Sequence, residues 1–125
     1  ELERVKDPFN VNSLALAGGI AALGSKKHIA LSKDLVQMGR RQFYEELDEL
    51  KVDYLPTQAN FILIDCKRDT QELYQFLLQN GIIIRPTHSF GLPNFIRVTF
   101  GTAEQNNRFF KVFREALKKL EYLAS

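Results

Sequence analysis

Three short runs rich in β-branched and aromatic residues, Asn60–Asp65, Ile82–Arg85 and Phe95–Phe100, are separated by segments of helical period. Each run is too short for a buried helix, which needs about 10–12 residues, so this interleaving restricts the chain to mixed packings of helix and sheet. The last run alternates strictly, with Ile96, Val98 and Phe100 on one face and Phe95, Arg97 and Thr99 on the other. The first is a continuous apolar run and reads as a buried strand. Ile82–Arg85 is a β-branched strand that Pro86 closes, and Val52–Leu55 offers a further short strand before Pro56.

The helical signals surround these strands. Ser13 is placed to cap a helix over Leu14–Leu23 that Gly24 stops; Gly18 and Gly19 inside it each cost about 1 kcal/mol relative to alanine and imply close approach of another backbone. Ser32–Leu50 carries the strongest pattern, with Val36, Phe43, Leu47 and Leu50 as an apolar stripe that includes Gly39. Arg40, Arg41, Glu45, Glu46 and Glu49 cover its wet side. Asp69 with Glu72 has the spacing of a capping box for a helix bearing Leu73, Phe76 and Leu77, ended by Asn80-Gly81. Thr87–Asn94 is a loop. Thr102 with Gln105 makes a second capping box, before a helix running to about Leu123 on the stripe Phe109, Phe113, Ala116 and Leu120. The expected fold is α+β: a small three- to four-stranded, mostly antiparallel sheet with helices packed against it.

At 125 residues the chain is the size of one domain, and its 45% hydrophobic and 26% charged content is that of a globular core rather than of disorder. Cys66 is the sole cysteine, which excludes an internal disulfide and a four-cysteine zinc site. A net charge of +2 is far from the one-sided field of a nucleic-acid binder. The longest uncharged run, Pro8–Ser25, holds asparagines, serines and glycines, too polar for a membrane span. The chain opens at Glu1 without methionine, and reads as a piece of something longer.

Two arginines stand out by position. Arg85 ends an isoleucine strand and Arg97 interrupts an apolar one. Desolvating a guanidinium is costly unless an anion meets it, and its planar fork suits a carboxylate or phosphate. If the two strands pair, both heads could converge on one anion; a salt bridge to an acid such as Asp65, or a wet face, is the bland alternative. Asn60 could donate from its amide or simply sit in a turn. His28 reads as a surface residue and His88 as a loop residue with a possible ligand role. Cys66 has no histidine near it in sequence and reads as an inert thiol. Two histidines and one cysteine offer no metal spacing. Gly24-Ser25-Lys26 is not a phosphate-binding loop, since no hydroxyl residue follows the lysine. No acid–base pair or nucleophile constellation is visible.

Taken together, the motifs resemble a known family. Pro8-Phe9-Asn10-Val11-Asn12 followed by Ala21-Ala22-Leu23, then Gln58-Ala59-Asn60-Phe61-Ile62-Leu63, Gly81-Ile82-Ile83-Ile84-Arg85 and Ile96-Arg97-Val98-Thr99-Phe100-Gly101-Thr102, occur in the order and spacing of the small domain of histidinol-phosphate aminotransferases. These are pyridoxal-phosphate enzymes of the aspartate aminotransferase fold. The resemblance implies a carboxy-terminal small domain over residues 13–125, with 1–12 as the linker from a large domain that carries the cofactor-binding residues and the Schiff-base lysine. Lys26, after the Pro-Phe-Asn segment, is then a surface lysine, and this chain alone is expected to bind no pyridoxal phosphate and to be inactive. The implied whole enzyme is a cytoplasmic homodimer exchanging an amino group between histidinol phosphate and 2-oxoglutarate, with no nucleic-acid or membrane partner. Arg97 matches the arginine that holds the substrate carboxylate or phosphate, Arg85 a second phosphate-binding arginine, and Asn60 a residue near the substrate. A relative acting on aromatic amino acids, or decarboxylating a phosphorylated threonine, would share the Arg97 motif; a free-standing anion-binding module is a reading of another class. Leu14, Ile20 and Phe95 are expected to be left exposed where the large domain belongs.

Overall fold

In a computed structural model, which describes residues 11–120, the helical and strand periods resolve into four α-helices and one four-stranded sheet. The order is α1 (Ser13–Gly24), α2 (Lys26–Leu50), β1 (Asp53–Leu55), β2 (Phe61–Asp65), α3 (Gln71–Gln79), β3 (Arg85–Pro86), β4 (Phe95–Thr99) and α4 (Ala103–Lys119). The chain forms two compact units, one up to Asp34 and one from Leu35 onward, with the boundary inside α2.

In the first unit the cap of α1 is Asn12 rather than Ser13: the Asn12 carboxamide oxygen accepts from the Ala15 N–H at 2.8 Å, which leaves Ser13 as the first helical residue. No residue of α1 is buried. Helix α2 starts at Lys26, not Ser32, because the Ser25 hydroxyl accepts from the His28 N–H (3.3 Å) and sets a new helix directly after Gly24. His28 and Lys26 are therefore exposed helical residues.

In the second unit the strand order is β1-β2-β4-β3, antiparallel throughout. Alternation sorts the faces as the sequence indicates: Ile62, Ile64, Ile96 and Val98 are buried, and Phe61, Leu63, Phe95 and Arg97 occupy the opposite, half-covered face. The buried face meets Phe43 and Leu47 of α2, Leu73 and Leu77 of α3, and Phe109, Phe113 and Leu117 of α4 in one core. Phe43 stands 4.6 Å from Phe110 and 5.2 Å from Phe100, centroid to centroid, so aromatic packing ties the end of the sheet to two helices.

Further boundaries depart from the sequence reading. Helix α3 is preceded by Thr70, which makes no side-chain cap; Asp69 instead accepts from the Gln71 N–H at 2.8 Å, so Asp69 and Glu72 form no capping box. Ile82–Ile84 is not strand. Gly81, in the left-handed region (φ 73°), donates to Leu78 O, and Ile82 donates to Leu77 O. These bonds close α3 and leave only Arg85 and Pro86 to pair with β4. The loop of 87–94 contains a 3₁₀ turn over His88–Phe90. The Thr102–Gln105 capping box is formed, and the extension of α4 toward Leu123 lies outside the described residues.

Candidate functional site

Strand β4 carries Arg97 between the buried Ile96 and Val98, so its side chain leaves the outer face of the sheet, half-buried. Its Cα partner on β3 is Arg85. Residues directly opposite in an antiparallel pair project to the same face, and like charges so placed repel. Among the described residues neither guanidinium meets a carboxylate, whereas Arg41, Arg68 and Arg114 each pair with a glutamate. What the two do contact is aromatic: Arg97 Cζ lies 5.0 Å from the Phe61 ring centroid and Arg85 Cζ 5.7 Å from that of Phe90. A ring supports one face of the planar cation and leaves its in-plane N–H edges available.

Asp65, the acid considered as a salt-bridge partner, is engaged elsewhere. It bonds the Lys67 ammonium (3.0 Å), the Lys67 N–H (2.9 Å) and the Asn94 amide (2.8 Å). Burial alone would raise its carboxyl, but these three donors outweigh it and hold the group below the usual carboxylate value.

Arg85 and Arg97 line a cleft of about 640 Å³ between the Gly81–Ile84 segment and the end of β4, with Phe43 and Phe109 also contributing to its lining. The third charged residue of this lining is Arg108, from α4, so the cleft's charges are all cationic. Among the described residues, the charged side chains of this lining are thus three arginines and no acid. Among the described residues no lysine lines the cleft, so none placed there offers an amine to condense with an aldehyde cofactor.

Asn60 does not line the cleft. It is exposed, its carbonyl accepts from the Phe100 N–H at 2.9 Å, and its side chain has no hydrogen-bond partner among the described residues. His88 lies outside the cleft and sits 3.0 Å from Asp69. Cys66 is buried, and that burial, reinforced by the Asp65 charge, pushes its thiol up to about 12, which makes it inert at neutral pH. No group of three or more potential metal ligands occurs among the described residues. Sequence reasoning missed Arg108 and the buried Asn106, whose carboxamide accepts from the Gly101 N–H (2.9 Å) and donates to Gly101 O and Gln42. Asn106 thereby fixes the turn at which the arginine strand ends; its only local signal is its place one residue beyond the capping box.

Comparison with known proteins bears on what this cleft belongs to. The family model for aminotransferase class I and II matches residues 1–113. A histidinol-phosphate aminotransferase of Moorella thermoacetica is 42% identical over 117 residues, which is 94% of this chain and 30% of that protein. Among solved structures, the histidinol-phosphate aminotransferase from Clostridium acetobutylicum superposes with a TM-score of 0.77 at 26% identity, over 91% of this chain and 36% of the other. The same-named enzyme from Sinorhizobium meliloti, solved with pyridoxal-5'-phosphate, gives a TM-score of 0.79 at 20% identity, over 95% of this chain and 33% of the other, a likeness of fold. The chain thus spans about a third of the length of the relatives it matches.

Proposed function

This chain belongs to the class I and II aminotransferases, and from that premise we propose that residues 13–125 are the carboxy-terminal substrate-recognition domain of a histidinol-phosphate aminotransferase, joined through residues 1–12 to a large domain. The whole enzyme converts histidinol phosphate and 2-oxoglutarate to imidazole acetol phosphate and glutamate. Pyridoxal phosphate, held by residues of the large domain, would supply the electron sink for that exchange. The contribution of this domain is to grip the anionic end of each substrate. Arg97 binds the phosphate of one and the carboxylate of the other in turn, Arg85 adds a second fork for the phosphate, and Asn60, outside this cleft, is a lesser contact toward the rest of the substrate. The full enzyme is a homodimer working in the cytoplasm; no helix among the described residues is long and apolar enough to cross a membrane.

The observation that carries this reading is the register Arg85↔Arg97, two arginines on one face with no carboxylate partner for either among the described residues. An anion between them converts a repulsion into two charge-assisted contacts. The test is amino transfer by the full-length enzyme from histidinol phosphate to 2-oxoglutarate, alongside Arg97→Ala. Turnover of histidinol phosphate that collapses in the variant is the expected result. An enzyme that uses aromatic amino acids and ignores histidinol phosphate overturns the substrate, and a fully active Arg97→Ala overturns the site.

A further inference from the structure

The segment 87–94 between β3 and β4 is tied down at many points for a surface loop. The buried Thr87 places its hydroxyl 2.6 Å from both Leu92 O and Phe95 O. Thr70, fully buried ahead of α3, holds Pro93 O through its hydroxyl and its N–H, each at 3.0 Å. The Asn94 amide reaches Asp65 at 2.8 Å, and Asn94 O accepts from the Cys66 N–H. His88 Nε2 lies 3.0 Å from Asp69 at the start of α3. Gly91 turns the chain in the left-handed region at φ 73°, where other residues are strained. Fixed in this way, the loop displays Phe90 with 60% of its surface exposed, although nothing in the core needs that ring. The contact it makes is with the Arg85 guanidinium, 5.7 Å from its centroid.

We propose that Phe90 is a positioning residue for Arg85, and that the His88–Asp69 contact holds the loop that presents it. An exposed arginine on a two-residue edge strand samples many rotamers, and ordering it on ligand binding costs affinity. A fixed aromatic face beneath the cation removes part of that cost in advance, leaving the in-plane N–H edges for a phosphate. Arg97 has the equivalent support within the sheet itself, from Phe61. Arg85, at the sheet edge, obtains it from the loop. This inference rests on the reading of Arg85 as a phosphate ligand.

The experiment compares Phe90→Leu, Phe90→Tyr, His88→Ala and Arg85→Ala in the full-length enzyme, alone and in pairs, with separate kinetics for histidinol phosphate and for glutamate. Phe90→Leu should raise KM for histidinol phosphate by roughly 3- to 10-fold, with kcat and the glutamate half-reaction near wild type. Phe90→Tyr, which keeps the ring, should restore it. His88→Ala should give a smaller change in the same direction, not additive with Phe90→Leu. Once Arg85 is alanine, Phe90→Leu should have no further effect. If Arg85→Ala raises KM for the phosphate substrate but Phe90→Leu does not, or if the two add, the positioning role is wrong while the phosphate site stands. If Arg85→Ala itself leaves KM unchanged, the phosphate reading of Arg85 fails and the positioning role with it. A His88→Ala effect that adds fully to Phe90→Leu removes the tether from the proposal.

Discussion

Arg97 and Arg85 differ in setting, and the difference predicts how each substitution behaves. Arg97 is half-buried in the second-to-last strand of the sheet, supported by Phe61. Arg97→Ala should weaken both half-reactions, by about 2–5 kcal/mol or tens- to thousands-fold in catalytic efficiency, if one fork serves both anions as proposed. Arg97→Lys should recover only part of this, because a point charge cannot make the bidentate contact. Arg85→Ala should impair the phosphate substrate more than the dicarboxylate. Single-turnover kinetics of each half-reaction distinguish these outcomes. Away from the cleft, Asp65 and Asp69 are both held below the ordinary carboxylate value near 3.8. The folded chain therefore binds their protons more weakly than the unfolded chain does. Their contribution to stability is complete above that value and disappears as pH falls through the lowered ones, so urea midpoints should decline as pH falls below about 4. Asp65→Asn should flatten that decline; an unchanged profile would mean that other groups control it. At this scale the sequence was informative about Arg97, because a strand's period of two shows which face a residue takes. Its pairing with Arg85 is a non-local register that no local pattern encodes. Arg108 and Asn106 gave little warning, since Arg108 lies against Gly81 and Asn106 also bonds Gln42, both distant in sequence.

The helices and strands were legible wherever their period persisted and less so where hydrogen bonds were diverted. Ile82–Ile84 has strand composition, yet the Ile82 N–H is committed to closing α3, and Ile83 is exposed. Composition cannot report such a commitment. The stripe of α2 was readable, and Gly39 within it has a measurable reason. A Cβ there would stand 2.9 Å from Phe100 Cβ and 3.4 Å from the Asn106 amide. Gly39→Ala should therefore destabilise by about 1–2 kcal/mol, overpacking outweighing the gain of roughly 1 kcal/mol in helix propensity. Asn106→Ala should cost about 1–3 kcal/mol by stripping the partner of the Gly101 N–H. Urea denaturation of both variants checks these values, and a neutral Gly39→Ala would show that the end of β4 can yield.

Across the whole chain, the least balanced feature is α1. It bears no charged residue, buries none of its residues, and leaves Leu14, Leu16, Ile20 and Leu23 exposed. A helix apolar on all sides is normally covered. The isolated chain should self-associate, seen as concentration-dependent sedimentation that Leu16→Glu with Ile20→Glu abolishes; strictly monomeric behaviour of the unmodified chain at high concentration would count against it. Phe95, expected to share this exposure, is half-buried instead, because it sits opposite Asp65 on β2. The facing guanidiniums have a consequence of another kind. Two cations in register, on the proposed reading, make the folded state a sensor of its solvent: a multivalent oxyanion should bind the native chain and not the unfolded one, adding about 2.7 kcal/mol at a hundredfold excess over its dissociation constant. The melting temperature then depends on the buffer, higher in phosphate than in chloride at equal ionic strength. Arg85→Thr, which relieves the repulsion, should raise it in chloride and blunt the response to phosphate.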